Sequence, residues 1–210
     1  MILTPIEPHR LQGVLDSFAA KLAPPAREVF CRIADPRTAA RAESDAALAH
    51  QSAALALAAS LGMEILPGSP LLDFGWNGKA LRRDTEAYVL LHEIAHFQIA
   101  PPERRCRIDF GLGPGPETGN REAAAHAALV SDVERDAEEA MASLLGILWE
   151  VELGQPALAS FLDQNWLEGA GRPGAAAHFV AVLTQLQNLG VVDETGRPQR
   201  VLAKRSPAPV

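Results

Sequence analysis

The sequence predicts an α+β domain that is predominantly helical and carries one small β-sheet. Alanine is used heavily along the chain, often with leucine, which favours helix. Glycine, proline and asparagine cluster between residues 62 and 78 and interrupt that pattern around short strand-like runs. The chain has 210 residues, 48% apolar and 21% charged, which is enough to close one core without staples. Residues 1–190 read as a single domain and residues 191–210, ending in Ser-Pro-Ala-Pro-Val with little apolar pattern, as a loosely ordered tail.

The elements follow in order. Residues 9–22 and 25–34 read as short helices parted by Pro24-Pro25, with a break at Asp35-Pro36. Thr38 to Leu61 reads as one long helix ended by Gly62. Met63–Leu66 is a strand candidate, Pro67-Gly68-Ser69-Pro70 a turn, and Leu71–Phe74 a second strand candidate. Asn77-Gly78 then carries the composition of a hairpin turn. Residues 80–100 are apolar on nearly every side, as in a buried helix, and Pro101-Pro102 ends it. After a glycine- and proline-rich loop at 111–119, Asn120 and Glu122 open a second long helix that runs to about Leu153. Two amphipathic helices, 156–168 and 173–189, complete the domain.

Composition also excludes function classes. A formal charge of −7 suits no broad nucleic-acid surface, because phosphates demand Lys and Arg. Two cysteines, Cys31 and Cys106, cannot frame a disulfide scaffold or a thiolate zinc site. No basic segment precedes an apolar one at the N-terminus. The longest uncharged run, Ala46–Met63, is mostly alanine and contains His50, Gln51, Ser52 and Ser60. The expectation is a cytoplasmic protein with neither nucleic-acid nor membrane partners.

The chemistry concentrates in His92-Glu93-Ile94-Ala95-His96. Residues i and i+4 share a helix face, so both imidazoles reach one cation, and Glu93 lies beside a metal-bound water. Burying two His and a Glu in an apolar helix without partners would cost several kcal/mol, a cost that a metal removes. Two His require a third ligand. The extended pattern HExxHxxGxxH fails, because Ile99 and Pro102 stand at its glycine and third histidine.

The remaining candidates are Asp109, His126, Asp132, Glu134, Asp136, Glu138 and Glu139. Taking 120–153 as one helix, Val130, Val133, Ala137, Met141, Leu144 and Leu148 form an apolar stripe. At ~100° per residue Glu134 falls about 40° from its centre, Glu138 about 80° out, and Asp132, Asp136 and Glu139 on the far side. Glu134 is therefore the expected third ligand, with Glu138 in reserve; pairing of Glu134 with Arg104, Arg105 or Arg107 is the bland alternative. Two His and one carboxylate leave positions open, which suits oxygen-activating iron(II) or hydrolytic zinc.

The order HEIAHFQIA (92–100), Arg104-Arg105, Asp109-Phe110-Gly111 and Asp132-Val133-Glu134 resembles the elongation factor P hydroxylase family, with no gap from His92 to Gly111. The resemblance covers the stretch from His92 to Glu134. It implies an oxygenase-type hydroxylase, similar in shape to HExxH metallopeptidases, with a zincin-like metal-binding helix pair. Its metal, iron(II) with zinc as the alternative, would be held by His92, His96 and Glu134, and its protein substrate would be elongation factor P. The competing readings are a zinc metallopeptidase with Glu93 as general base and a non-catalytic metal-stabilised binding protein.

Four other residues carry weaker expectations. Arg104 and Arg105 stand as candidates to hold a carboxylate or an acidic partner, or as structural groups. Asp109 is a candidate to orient a ligand histidine or to close a turn. His126, two turns before Glu134, is a candidate to approach the site. His50 and His178 read as packing residues, and Trp76, Trp149 and Trp166 as core or loop anchors.

Overall fold

Helices carry most of the chain, and a two-stranded parallel sheet is the only sheet among the described residues. The computed structural model describes residues 6–66, 74–115, 118–167 and 174–204. Helices α1 (Pro8–Ala20) and α2 (Ala26–Ile33) flank the proline pair as expected. Helix α3 (Ser44–Ser60) starts later than the expected Thr38. Pro36–Thr38 form a separate 3-10 turn that the Asp35 side chain caps by accepting the Arg37 N–H, and Ser44 takes φ +51. Gly62, at φ +83, ends α3 in the left-handed conformation that glycine adopts at low cost.

Strand β1 (Glu64–Leu66) pairs with β2 (Ala80–Arg82), with Ile65 opposite Leu81. The sheet was expected, but from a different second strand; the turn at 67–70 and residues 71–73 of the strand candidate lie outside the described residues, and Phe74 is in no strand. Asn77-Gly78 does turn the chain. The Asn77 carboxamide accepts the Lys79 and Ala80 N–H groups, and Trp76 bridges Leu81 in antiparallel sense. β2 thereby takes the start of the apolar run, and helix α4 (Ala87–Ile99) takes the rest. α4 is buried over its last turns and stops at Pro101; the short α5 (Pro102–Arg105) follows.

The second long helix is corrected. It is two helices, α6 (Arg121–Ala127) and α7 (Asp132–Glu152), parted by extended backbone at Ala128. Leu129 N–H bonds the Gly111 carbonyl at 2.8 Å, which ties the break to the Asp109–Gly111 turn. Ser131 then starts α7 with a capping box: its hydroxyl accepts the Glu134 N–H, and the Glu134 carboxylate accepts the Ser131 N–H and hydroxyl, both at 2.8 Å. Helices α8 (Ala157–Asp163) and α9 (Ala175–Asn188) complete the set.

α4 packs chiefly on α7, and also on α3 and β2. Gly146 makes the α4–α7 approach close: a Cβ there would stand 3.4 Å from the His92 backbone nitrogen. Beside this pair, Phe18, Phe30, Phe161 and Phe179 from α1, α2, α8 and α9 form one aromatic cluster. Trp166 extends it by stacking on Phe161 at 5.8 Å.

The tail is corrected too. Residues 191–204 form a strap across α4; residues 205–210 lie outside the described set. Val191, Val192 and Ala203 are buried, and the buried Gln98 side chain donates to the Gln199 and Val201 carbonyls. Arg32 of α2 donates to the Thr195 and Gly196 carbonyls. No helix among the described residues is long and apolar enough to cross a membrane.

Glu150, on α7, is a buried carboxylate far along the chain from the His pair. Burial pushes its carboxyl up to about 7, against the opposing Ser160 hydrogen bond and the Arg41 charge. In an unfolded chain the same group ionises near 4.5. Between those values the folded protein holds a proton that the unfolded chain has lost, so this group's contribution to stability falls as pH rises. The interval corresponds to on the order of 3 kcal/mol. Glu150→Gln removes the linkage. Unfolding free energies from urea melts, wild type minus variant, are expected to fall by that order from pH 4.5 to 7.5. A flat difference would contradict the buried-acid assignment.

Candidate metal centre

Two imidazoles and one carboxylate meet where α4 crosses α7. Four residues of helix place the His92 and His96 rings on one face of α4, 4.6 Å apart. Their Nε2 atoms are 3.0 Å apart. Glu139 of α7 brings its Oε2 to 3.2 Å from His92 Nε2 and 3.5 Å from His96 Nε2. Adjacent donors ~2.1 Å from a common ion are separated by about 3.0 Å at a right angle and about 3.4 Å at a tetrahedral one. The three separations fit one coordination sphere.

Electrostatics describe the same convergence. Burial pushes the His92 imidazole below its ordinary value. Burial acts the same way on His96, but the Glu139 and Glu138 carboxylates outweigh it and hold that pKa at about 10. Burial raises Glu139 as well, and the His96 and His92 rings outweigh it and hold the carboxyl well below the usual carboxylate range. Three lone-pair atoms thus compete for positive charge at one point. A divalent cation satisfies all three together.

The expected ligand Glu134 is elsewhere. Its side chain is exposed and spent on the Ser131 cap, so the Asp132-Val133-Glu134 match marks a helix start and brings no ligand to the His pair. The physical reason is the break at 128–131. The residues before it lie off the α7 axis, so the stripe drawn through Val130 and Val133 belongs to no single helix, and Val133 is 73% exposed.

Glu138, the reserve ligand, points behind the site. It is 2% exposed and pairs with Arg104, which is buried as well. Arg105 donates to the Phe97 and Ala203 carbonyls, which makes it a fastener of the strap; it does not line the cavity. His126 is exposed, meets the Glu122 carbonyl of its own helix, and is not among the described lining residues of the site.

Asp109 does reach the cavity. It and Phe110 adopt φ +42 and +53, conformations that non-glycine residues rarely take. Burial raises the Asp109 carboxyl, and Thr118 donates its hydroxyl to it at 2.6 Å. The turn sets the Phe110 ring against His96 at 5.6 Å, and Trp76 stacks on Phe110 at the same distance. Asp109 makes no direct bond to either His92 or His96 among the described residues.

The site opens into a cavity of about 740 Å³ with mostly apolar walls. Glu93 lines it, and Gly75 leaves room for its carboxyl: a Cβ at Gly75 would fall 2.9 Å from the Glu93 carboxyl carbon. Several lining residues carried no functional signal in the sequence, among them Tyr88, one turn before His92, and Ser143, Trp166 and His178. The Trp166 indole donates to the Ser143 hydroxyl at 2.7 Å and stacks on His178 at 5.5 Å. His178, expected to pack, is exposed at the cavity wall.

No protein-family model, curated protein or solved structure matches the chain.

Proposed function

We propose that this chain is a mononuclear metal enzyme in which His92, His96 and Glu139 hold one divalent cation and Glu93 works beside it. One observation carries this reading: donor atoms from three residues on two crossing helices lie within 4.8 Å of one another on the wall of a cavity. The His pair on α4 and the carboxylate on α7 support the zincin-like helix pair that the resemblance implies. When bound, the cation supplies open coordination positions, iron(II) for dioxygen chemistry or zinc(II) for water activation.

The reaction proposed first is hydroxylation of a protein side chain in the cytoplasm. The resemblance of residues 92–111 to the elongation factor P hydroxylases supports it, and so do the walls. They are mostly apolar, suited to holding an aliphatic chain out of water, and none of the described lining residues belongs to β1 or β2. An extended peptide gripped by a strand edge would need such an edge. In this reading Glu93 holds or moves a proton at its carboxyl oxygens, and Tyr88 and Trp166, which line the same cavity, bound the substrate. Zinc-dependent hydrolysis keeps second place because Glu93 follows His92 directly and lines the same cavity, as a general base requires.

The test begins with protein purified without air, followed by metal analysis. It is then incubated with iron(II), an added reductant, dioxygen and elongation factor P. One oxygen atom enters a C–H bond as hydroxyl and the other leaves as water, with two electrons and two protons from the reductant. The expected result is a mass gain of one oxygen atom that His96→Ala abolishes. Stoichiometric zinc with peptide cleavage lost in Glu93→Gln would replace the hydroxylase by the hydrolase. A protein that binds no divalent metal would overturn both.

A further inference from the structure

We propose that Glu138 and Arg104 are positioning residues that set the orientation and basicity of His96 from behind; the inference rests on the metal site proposed above. His96 turns Nε2 toward His92 and Glu139, so its remaining ring nitrogen, Nδ1, faces the interior. That atom is buried and lacks a hydrogen-bond partner. One carboxylate oxygen of Glu138, Oε1, is buried and lacks a partner as well. The two face each other across 3.7 Å.

The pairing of these two orphans explains what a plain core ion pair does not. Arg104 bonds the other oxygen of Glu138, Oε2. If the pair served only the core, a second buried oxygen left unpaired would be a cost with no return. Aimed at an imidazole N–H, it has one. A histidine that coordinates through Nε2 carries its proton on Nδ1, and a carboxylate accepting that proton fixes the tautomer and strengthens the ligand. A contraction of less than 1 Å from the observed separation brings the two atoms into hydrogen-bond range.

Arg104 governs more than the carboxylate. Its Nη1 donates to the Phe110 carbonyl at 3.0 Å, and the Phe110 ring covers the face of His96 at 5.6 Å. One guanidinium therefore fixes both the acid behind the imidazole and the ring stacked on it. All three partners are nearly sealed from water: His96 is 3% exposed, Arg104 6% and Glu138 2%. On α7, consecutive glutamates divide the work, with Glu139 directed to the shared point and Glu138 to the back of a ring already there.

The experiment measures zinc(II) affinity with a competing chelator for the full chain, for Glu138→Gln, and for Arg104→Met combined with Glu138→Leu. The double variant leaves no buried charge behind. A loss of about 10–100-fold is expected for each. In zinc-loaded wild type the His96 Nδ1 proton is expected far downfield and slow to exchange in proton–nitrogen NMR, and to move upfield in Glu138→Gln. Affinities within threefold of wild type in both variants would overturn the proposal. So would a zinc-bound His96 whose Nδ1 proton exchanges at the rate of an exposed imidazole, a result that wild type alone supplies. Failure of wild type to bind zinc removes the site itself and this inference with it; binding by wild type with no effect of the variants removes only the inference.

Discussion

Glu139→Ala is expected to abolish tight binding of divalent metal, and Glu134→Ala to leave it intact. The two glutamates share helix α7 and differ in what their carboxylates touch. Glu139 places an oxygen 3.2 and 3.5 Å from the two imidazole Nε2 atoms, whereas Glu134 closes a capping box in solvent. Loss of a partner outside the coordination sphere typically costs ~10–100-fold in affinity, so loss of a ligand is expected to exceed ~100-fold. The Glu134 variant is expected to lose some thermal stability, because the first turn of α7 gives up its reciprocal cap. Isothermal titration with zinc(II), read beside thermal melts, separates the outcomes. Equal metal affinity in wild type and Glu139→Ala, or loss of binding in Glu134→Ala, would remove α7 from the site as described.

The contrast between these residues shows where the sequence was readable. α4 was legible because its composition leaves little choice: apolar residues nearly all round, a proline pair at its end, and two histidines at helical spacing. The third donor was hidden by a boundary. Ser131 and Glu134 stand three apart, the spacing of a capping box, and that signal divides residues 120–153 into two helices before any stripe is drawn. With the boundary in place, the part of α7 beside the His pair carries Ser143 and Gly146, which no apolar stripe includes. Glu139, Ser143 and Gly146 lie at i, i+4 and i+7, within about 60° of one another. Ser143 lines the cavity and Gly146 meets the His92 backbone. Glu139, the proposed ligand, sits at the edge of the cavity and is partly exposed, which keeps it off the buried stripe.

Other features were not legible for a different reason. The pairing of β1 with β2 joins segments separated by residues 67–79, and nothing local to either specifies a parallel partner. The Trp166 and His178 wall depends on Ser143 accepting the indole N–H, a contact across 23 residues of sequence. The Asn77-Gly78 turn, by contrast, is local chemistry, and it stands where its composition placed it. At Gly78, φ is +88 and a side chain would strike the Cys106 carbonyl at 2.7 Å.

The strap at 191–204 was misread because its anchor lies in α4. Gln98, two residues past His96, is fully buried and uses every side-chain polar atom. Its amide donates to the Gln199 and Val201 carbonyls at 2.7 and 2.8 Å, and its oxygen accepts the Trp149 indole N–H at 2.7 Å. Low apolar content at 191–210 hid this, because the strap is held by its backbone carbonyls and by a polar residue supplied from elsewhere. Gln98→Ala leaves the buried Trp149 indole N–H without a partner and takes the amide donor from the Val201 carbonyl at the exposed edge of the strap. The buried loss typically costs ~1–3 kcal/mol, and a destabilisation of that size is expected in urea melts. Hydrogen exchange is expected to localise it: the Gln199 amide, bonded to Val191, and the Ala203 amide, bonded to the Gln98 carbonyl, lose protection in the variant. Because α4 carries the His pair two residues earlier, zinc affinity reports whether the strap also steadies the site. A variant as stable as wild type, with fast-exchanging amides at 199 and 203 in both, would return residues 191–204 to the loose tail that their composition suggests.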